Sequence, residues 1–146
     1  MDAGGAAGAA QGGSGGAIAF NCESDAAPGE MVDVAASDFS MGCDNTSDQC
    51  VDDELPQHPV TLSAFQIDRT EVTQDQYTAC VVAGSCDVPS CAWDCELTNY
   101  PATCVSWSQA KTYCEWAQKR LPTEAEWEKA ARGEQAAKYP WGNADP

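Results

Sequence analysis

The side chains able to do chemistry in this sequence are mostly thiols and carboxylates. Nine cysteines stand beside a single histidine, His58. Zinc would require paired Cys-x-x-Cys knuckles, or a cysteine pair joined to a histidine pair. The spacings are instead Cys43-x6-Cys50, Cys80-x5-Cys86, Cys91-x3-Cys95 and Cys104-x9-Cys114, so no knuckle is present. Cys91 and Cys95 are also one residue too far apart for the reactive dithiol motif, which favours a structural bridge there. So many cysteines without a metal motif point to disulfides and an oxidising compartment. Cys43, Cys50, Cys80, Cys86, Cys91, Cys95 and Cys104 are the bridge candidates, and spacing alone does not fix their connectivity. Because nine is odd, at least one cysteine is free, intermolecular, or matched by a partner outside the chain.

The other reactive groups each carry a structural explanation. Glu124, Glu126 and Glu128 could form a general-acid cluster, but a helix start uses acids to cap its amides and to complement its dipole. His58 has no cysteine or carboxylate at motif spacing, and its place between Pro56 and Val60 suggests a fold contact. Five carboxylates fall between Asp44 and Glu54 without the glycine turn and oxygen rhythm of a cation loop, so a solvated acidic loop is expected. Trp107, Trp116, Trp127 and Trp141 could stack a ligand, but packing is the expectation for side chains of this size.

These groups must be positioned by elements that the sequence announces unevenly. Residues 1–21 read as a flexible linker and residues 22–146 as one domain. From Met1 to Ala19 the chain is almost entirely Gly, Ala, Ser and Gln with one charge, Asp2, too little apolar surface to offset ordering. It has neither the basic start nor the leucine-rich run of a signal peptide. No apolar run is long enough to span a membrane. Seven basic against twenty-three acidic residues give a net charge of -16, which repels phosphate and excludes nucleic acid as a partner.

Apolar Met31, Val32 and Val34, then Phe39 and Met41, predict a short strand pair turning at Ser37–Asp38. Val60, Leu62 and Ala64 share one strand face, and the shift of alternation at Phe65 and Ile67 suggests a bulge. Pro56 and Pro59 suit the start of that strand but not its middle. Three capping boxes predict helices: Thr73 with Gln76, Ser106 with Gln109, and Thr123 with Glu126. The first carries Tyr77, Cys80 and Val81 inward and stops at Gly84, and the second turns Ala110, Tyr113, Cys114 and Ala117 inward. The third ends at Gly133, with Glu128 and Arg132 as an exposed i,i+4 pair. Between the first two helices, the insert from Ser85 to Thr103 reads as a loop pinned by its own bridges, with Cys80 as a further candidate.

The run Arg120-Leu121-Pro122-Thr123-Glu124-Ala-Glu126-Trp127-Glu-Lys-Ala-Ala-Arg132-Gly133, with Tyr139-Pro-Trp141-Gly142 after it and Val105-Ser-Trp before it, resembles the signature of the formylglycine-generating enzyme (sulfatase-modifying factor) family. Phe39-Ser-Met-Gly42, Glu54-x-Pro56-x-His58-x-Val60 and Glu71-Val-Thr-x-x-x-Tyr77 fall in the same order as in that family. The resemblance implies an α+β, C-type-lectin-like domain. It implies oxidation of a cysteine in a sulfatase-type polypeptide to Cα-formylglycine by molecular oxygen, with copper held by two cysteines and calcium bracing the domain. In the family those sites lie in the C-terminal part of the domain, so this chain is expected to be the N-terminal part, inactive alone and lacking its own C-terminal half.

Cys114 resembles the cysteine that in the formylglycine-generating branch bridges to that half. It is therefore expected to be unpaired, with the other eight pairing among themselves and Cys43–Cys50 closing the acidic loop. Cys43 stands where the family often has Ser or Thr, which with the insert suggests an extracytoplasmic subgroup, whether secreted, periplasmic or lipoprotein-anchored. A non-catalytic lectin-like module for binding or surface display is the alternative function.

Overall fold

The computed structural model describes residues 20–44, 50–91, 93–135 and 137–144. Of the linker expected over residues 1–21, residues 1–19 lie outside the described residues, as does the middle of the acidic loop, and Phe20 packs on Trp93. The architecture is mixed α+β, as expected. Four strands, β1 (Met31–Val34), β2 (Ser37–Met41), β3 (His58–Leu62) and β4 (Phe65–Asp68), precede three helices, α1 (Gln74–Val82), α2 (Trp107–Trp116) and α3 (Glu124–Arg132). No helix among the described residues is long and apolar enough to cross a membrane.

The strands do not pair as the sequence suggested. β1 lies antiparallel to β4, with Met31 opposite Asp68 and Val34 opposite Phe65. β2 lies antiparallel to β3, with Ser37 opposite Leu62 and Met41 opposite His58. The two ladders keep one register, so together they form a single long ribbon interrupted at Ala35–Ala36 and at Ser63–Ala64. The expected turn at Ser37–Asp38 is instead the start of β2. The shift of alternation at Phe65 is not a bulge, because no residue is inserted. The ribbon changes its buried face across the interruption: Val32 and Val34 are covered in β1, then Phe39 in β2. Pro59 sits inside β3 opposite Ser40, tolerated because a two-stranded ribbon leaves one edge of each strand without ladder partners.

All three capping boxes form. The hydroxyls of Thr73, Ser106 and Thr123 accept from the amides of Gln76, Gln109 and Glu126, and each of those side chains reaches back to its cap residue's amide. Gly133 closes α3 at φ 69°, a conformation glycine adopts without strain. α1 and α2 pack across a core of Tyr77, Cys80, Cys86 and Tyr113, flanked by Val72, Trp93, Val105 and Trp116. Tyr77 and Tyr113 stack at 5.8 Å, and Trp93 meets Tyr77 edge-on at 5.5 Å. Phe20 continues this chain of rings onto Trp93.

Disulfides extend a core that is small for the length of chain. Cys80–Cys86 finishes α1, Cys91–Cys104 closes the insert, and Cys43–Cys50 closes the acidic loop as expected. The insert is not pinned by its own bridges alone, because Cys95 reaches back to Cys22. Cys91 and Cys95 therefore belong to two different bridges. Cys22–Cys95 spans 73 residues, a separation at which loop-closure entropy contributes about 4 kcal/mol in the chain-entropy picture.

The third helix docks on the ribbon through charged side chains. Lys129, 3% exposed, donates from Nζ to the carbonyls of Ala35 at 2.9 Å and Ser37 at 3.1 Å. At the far end of β2, the Gly42 amide donates to Glu128 Oε1 at 2.8 Å and its carbonyl accepts from Arg132 at 2.7 Å. Arg132 also bonds Glu128 at 2.7 Å. That i,i+4 pair is half-buried, not exposed as expected, because the backbone of Gly42 lies over it. Gly42 itself has φ 89°, and a Cβ there would fall 2.6 Å from the Glu54 carbonyl oxygen.

Gly42→Ala should therefore destabilise the fold by about 2 kcal/mol or more. Denaturant unfolding of the variant beside the wild type measures the loss, and an unchanged midpoint would refute this account of Gly42.

Candidate functional site

Arg120 forms two parallel hydrogen bonds to the Glu126 carboxylate, at 2.7 and 2.6 Å. Glu126 also accepts from the Thr123 amide at 2.8 Å and from the Thr123 hydroxyl at 3.1 Å. Arg120, and then the Thr123 bonds, hold Glu126 at a pKa of about 2 against the opposing effect of burial. A carboxylate so committed cannot act as a general acid near neutral pH. Glu124 stands exposed in the first turn of α3, and Glu128 is taken up by Gly42 and Arg132. The three glutamates are thus cap, helix-start charge and dock.

The tryptophans divide otherwise than expected. Trp116 packs against the core, but Trp107, Trp127 and Trp141 are 71%, 61% and 64% exposed. Their places account for this: Trp107 opens α2, Trp127 lies on the outer side of α3, and Trp141 sits in a tight turn. In that turn the Tyr139 and Gly142 backbones exchange bonds at 3.0 and 2.9 Å, and the Tyr139 and Trp141 rings stack at 4.9 Å. Leu121 is half-buried and Pro122 exposed in the turn between α2 and α3. Trp93 packs against the core as Trp116 does. Its indole N–H donates to the Thr103 carbonyl at 3.2 Å, and its position between two cysteines of the insert was the available signal. His58 is exposed, with Nδ1 2.9 Å from the Pro56 carbonyl, a local fold contact.

Cys114 is the one cysteine outside a bridge, as expected. It lies half-buried on α2 beside Tyr113. Lys119, just beyond the helix, bonds the Asp68 carboxylate and donates to the Gly29 carbonyl at 2.6 Å, tying α2 to the end of the ribbon. Burial first, and then Asp68, raise the pKa of the Cys114 thiol, and Lys119 offsets them only in part. Tyr113 is pushed up to about 12 by burial, with Asp68 and Cys114 adding to it. Cys114 therefore stays protonated at neutral pH, a poor nucleophile. A copper held by two thiolates does not fit these residues, because eight cysteines are in disulfides and Cys114 stands alone. Among the described residues, no three His, Cys, Asp or Glu side chains converge to hold a metal ion.

The model of the Sulfatase-modifying factor enzyme 1-like domain matches residues 19–146. The chain belongs to this sulfatase-modifying factor family. A formylglycine-generating enzyme of Thermomonospora curvata is 33% identical over 158 residues, covering 77% of this chain and 52% of the relative. One of Mycobacterium tuberculosis is 29% identical over 170 residues, covering 80% and 56%. An inactive C-alpha-formylglycine-generating enzyme 2 of Bos taurus is 55% identical over 49 residues, 33% of this chain and 16% of the relative. The chain spans about half the length of the formylglycine-generating enzymes it matches. Within the family domain, Arg120, Glu126, Glu128, Lys129 and Arg132 of the Arg120–Gly133 run have structural partners.

Two outcomes follow for this domain. Glu126 has a lowered pKa, so its contribution is complete above about pH 4.5, the free glutamate value, and is lost as pH falls toward about 2. With the exposed Arg120 screened by water, that contribution is about 1–2 kcal/mol. Urea melts across this window should show a shallower pH dependence for Glu126→Gln than for the wild type. Without reductant, a thiol reagent should titrate one group per chain, at a rate still rising above the ordinary thiol value of 9.0. A rate that levels off near neutral pH would overturn the protonated-thiol description.

Proposed function

We propose that this chain supplies the scaffold of a formylglycine-generating domain, whose complete form oxidises a cysteine of a sulfatase-type polypeptide to Cα-formylglycine with molecular oxygen. The thiol count carries the reading. Eight cysteines are committed to bridges and the ninth is a protonated thiol beside a buried tyrosine, so the copper-binding pair that the family resemblance implies comes from sequence other than these residues. On this reading Cys114 is the point of covalent attachment for that sequence. Calcium, where the domain uses it, is likewise held elsewhere. The exposed Trp107, Trp127 and Trp141 support a surface completed by further protein, since isolated domains seldom leave several tryptophans so uncovered. Four disulfides suit an extracytoplasmic setting.

A non-catalytic module on the same scaffold is the second reading, since a relative named as inactive and one named as a formylglycine-generating enzyme match this chain to the same degree, 55% over 49 residues and 57% over 47. The two are separated by mass spectrometry of a sulfatase-motif peptide incubated with copper and oxygen. The chain alone should leave the peptide unchanged. Addition of the remaining sequence of the open reading frame should convert its cysteine to formylglycine. Turnover by the chain alone would overturn the scaffold reading, and no turnover from the complete protein would select the non-catalytic one.

A further inference from the structure

Residues 20–28 pass the head of α1 as a strap fastened unequally at its two ends. Just beyond its C-terminal end, the Gly29 carbonyl accepts from Lys119 Nζ at 2.6 Å, and the Glu30 carbonyl accepts from the Arg69 amide at 2.9 Å. At the other end, Cys22 and Glu23 stand around one open depression with Gln74, Asp75 and Thr78 of the helix. Among the described residues, no hydrogen bond joins residues 20–28 to the rest of the domain, and the one bond within them runs from the Ala26 amide to the Ser24 hydroxyl. That end is held by the Cys22–Cys95 disulfide and by the contact of the Phe20 and Trp93 rings at 6.3 Å.

The other three bridges are braced by backbone bonds beside them. The Cys86 amide donates to the Cys80 carbonyl at 3.2 Å, in a bridge that is buried. Ser90, next to Cys91, donates to the Cys104 carbonyl from its amide at 2.9 Å and its hydroxyl at 2.8 Å. The Glu54 backbone accepts from the Cys43 amide at 2.9 Å and donates to the Val51 carbonyl at 3.0 Å, so it ties both ends of the acidic loop. Thiols held so close re-form their disulfide readily, whereas Cys95 is exposed and Cys22 sits on a segment with nothing else to keep it near. We propose that Cys22–Cys95 is a redox-operated clasp, whose reduction by a dithiol lifts the strap about Pro28–Gly29 and uncovers Trp93 and the head of α1. In that exchange a reductant thiolate bonds to one sulfur while the other cysteine leaves and takes a proton. The reductant's second thiol then closes its own disulfide and releases the first cysteine, so two electrons and two protons pass from the dithiol to Cys22 and Cys95.

Graded reduction of the full chain tests this, with Cys114 alkylated beforehand so that it starts no exchange. Trapping with a second, isotopically distinct alkylating reagent and peptide mass mapping should find Cys22 and Cys95 opened at a dithiol concentration about tenfold or more below that of any other bridge. At that point NOEs between the Phe20 and Trp93 rings should be lost and those between Tyr77 and Tyr113 kept. Cys22→Ser combined with Cys95→Ser should show the same pattern without reductant. Another bridge opening first, or all four opening together, would overturn the proposal whether or not the variant folds. Phe20–Trp93 NOEs that survive reduction would overturn it as well, because packing and not the clasp would then hold the strap.

Discussion

A buried lysine ammonium holds the ribbon together where its own ladder fails. Between β1 and β2 the strand pairing stops for two exposed residues, Ala35 and Ala36. Lys129 inserts from α3 and serves both Ala35 and Ser37, meeting the rule that a buried charge must be matched by full hydrogen bonding. Five residues beyond Ser37, Gly42 is gripped by Glu128 and Arg132 from the same helix. β2 is thus clamped at both ends by one helix. The direction of α3 then fixes where Arg120, Thr123 and Glu126 stand, and with them the turn that delivers the chain from α2.

This way of holding a fold explains why the domain tolerates so little regular structure. Its apolar cluster joins α1, α2 and the insert but not the ribbon, which is fastened to the rest by Lys129, by Glu128 and Arg132, and by Lys119 with Asp68. Charged side chains bonding backbone carbonyls are more specific than apolar contacts, because geometry must match at both partners. Disulfides perform the complementary task. They restrain the loops whose backbones make few ladder bonds, and Cys22–Cys95 does so over the greatest separation in the chain.

What could be read from the sequence follows from the range of each interaction. The capping boxes, the glycine at the end of α3 and the unpaired Cys114 were legible, the first two from local spacing and the last from the resemblance. The continuous register of the ribbon was not. Its partners are separated by at least the whole acidic loop, and its change of buried face imitates a bulge. The Cys22–Cys95 bridge was not legible either, because all four strands and α1 lie between its partners. Glu128 and Arg132 looked like an exposed pair because nothing local reveals that Gly42 will lie across them. The tryptophans misled in the opposite sense: size argued for burial, but a side chain at the first turn of a helix or at a hairpin tip is buried only if something else covers it.

The same division bears on function. In the Arg120–Gly133 run, Arg120 and Glu126 close a cap, Glu128 and Arg132 hold Gly42, Lys129 fills the ribbon's gap and Gly133 ends the helix. Apart from Glu124, which stands exposed in the first turn of α3, each charge of the run is committed to the architecture. A run of this kind serves the scaffold with or without chemistry, and short matches of 55% and 57% identity reach both a relative named as inactive and one named as a formylglycine-generating enzyme. Identity within the run therefore measures descent of the fold, and activity has to be judged on thiols that the scaffold does not consume. Here that leaves Cys114 alone, with a raised pKa, on a helix face shared with a buried tyrosine. Its surroundings disfavour a thiolate and so disfavour catalysis by it, whereas a disulfide carries no charge and meets no such penalty at the same position.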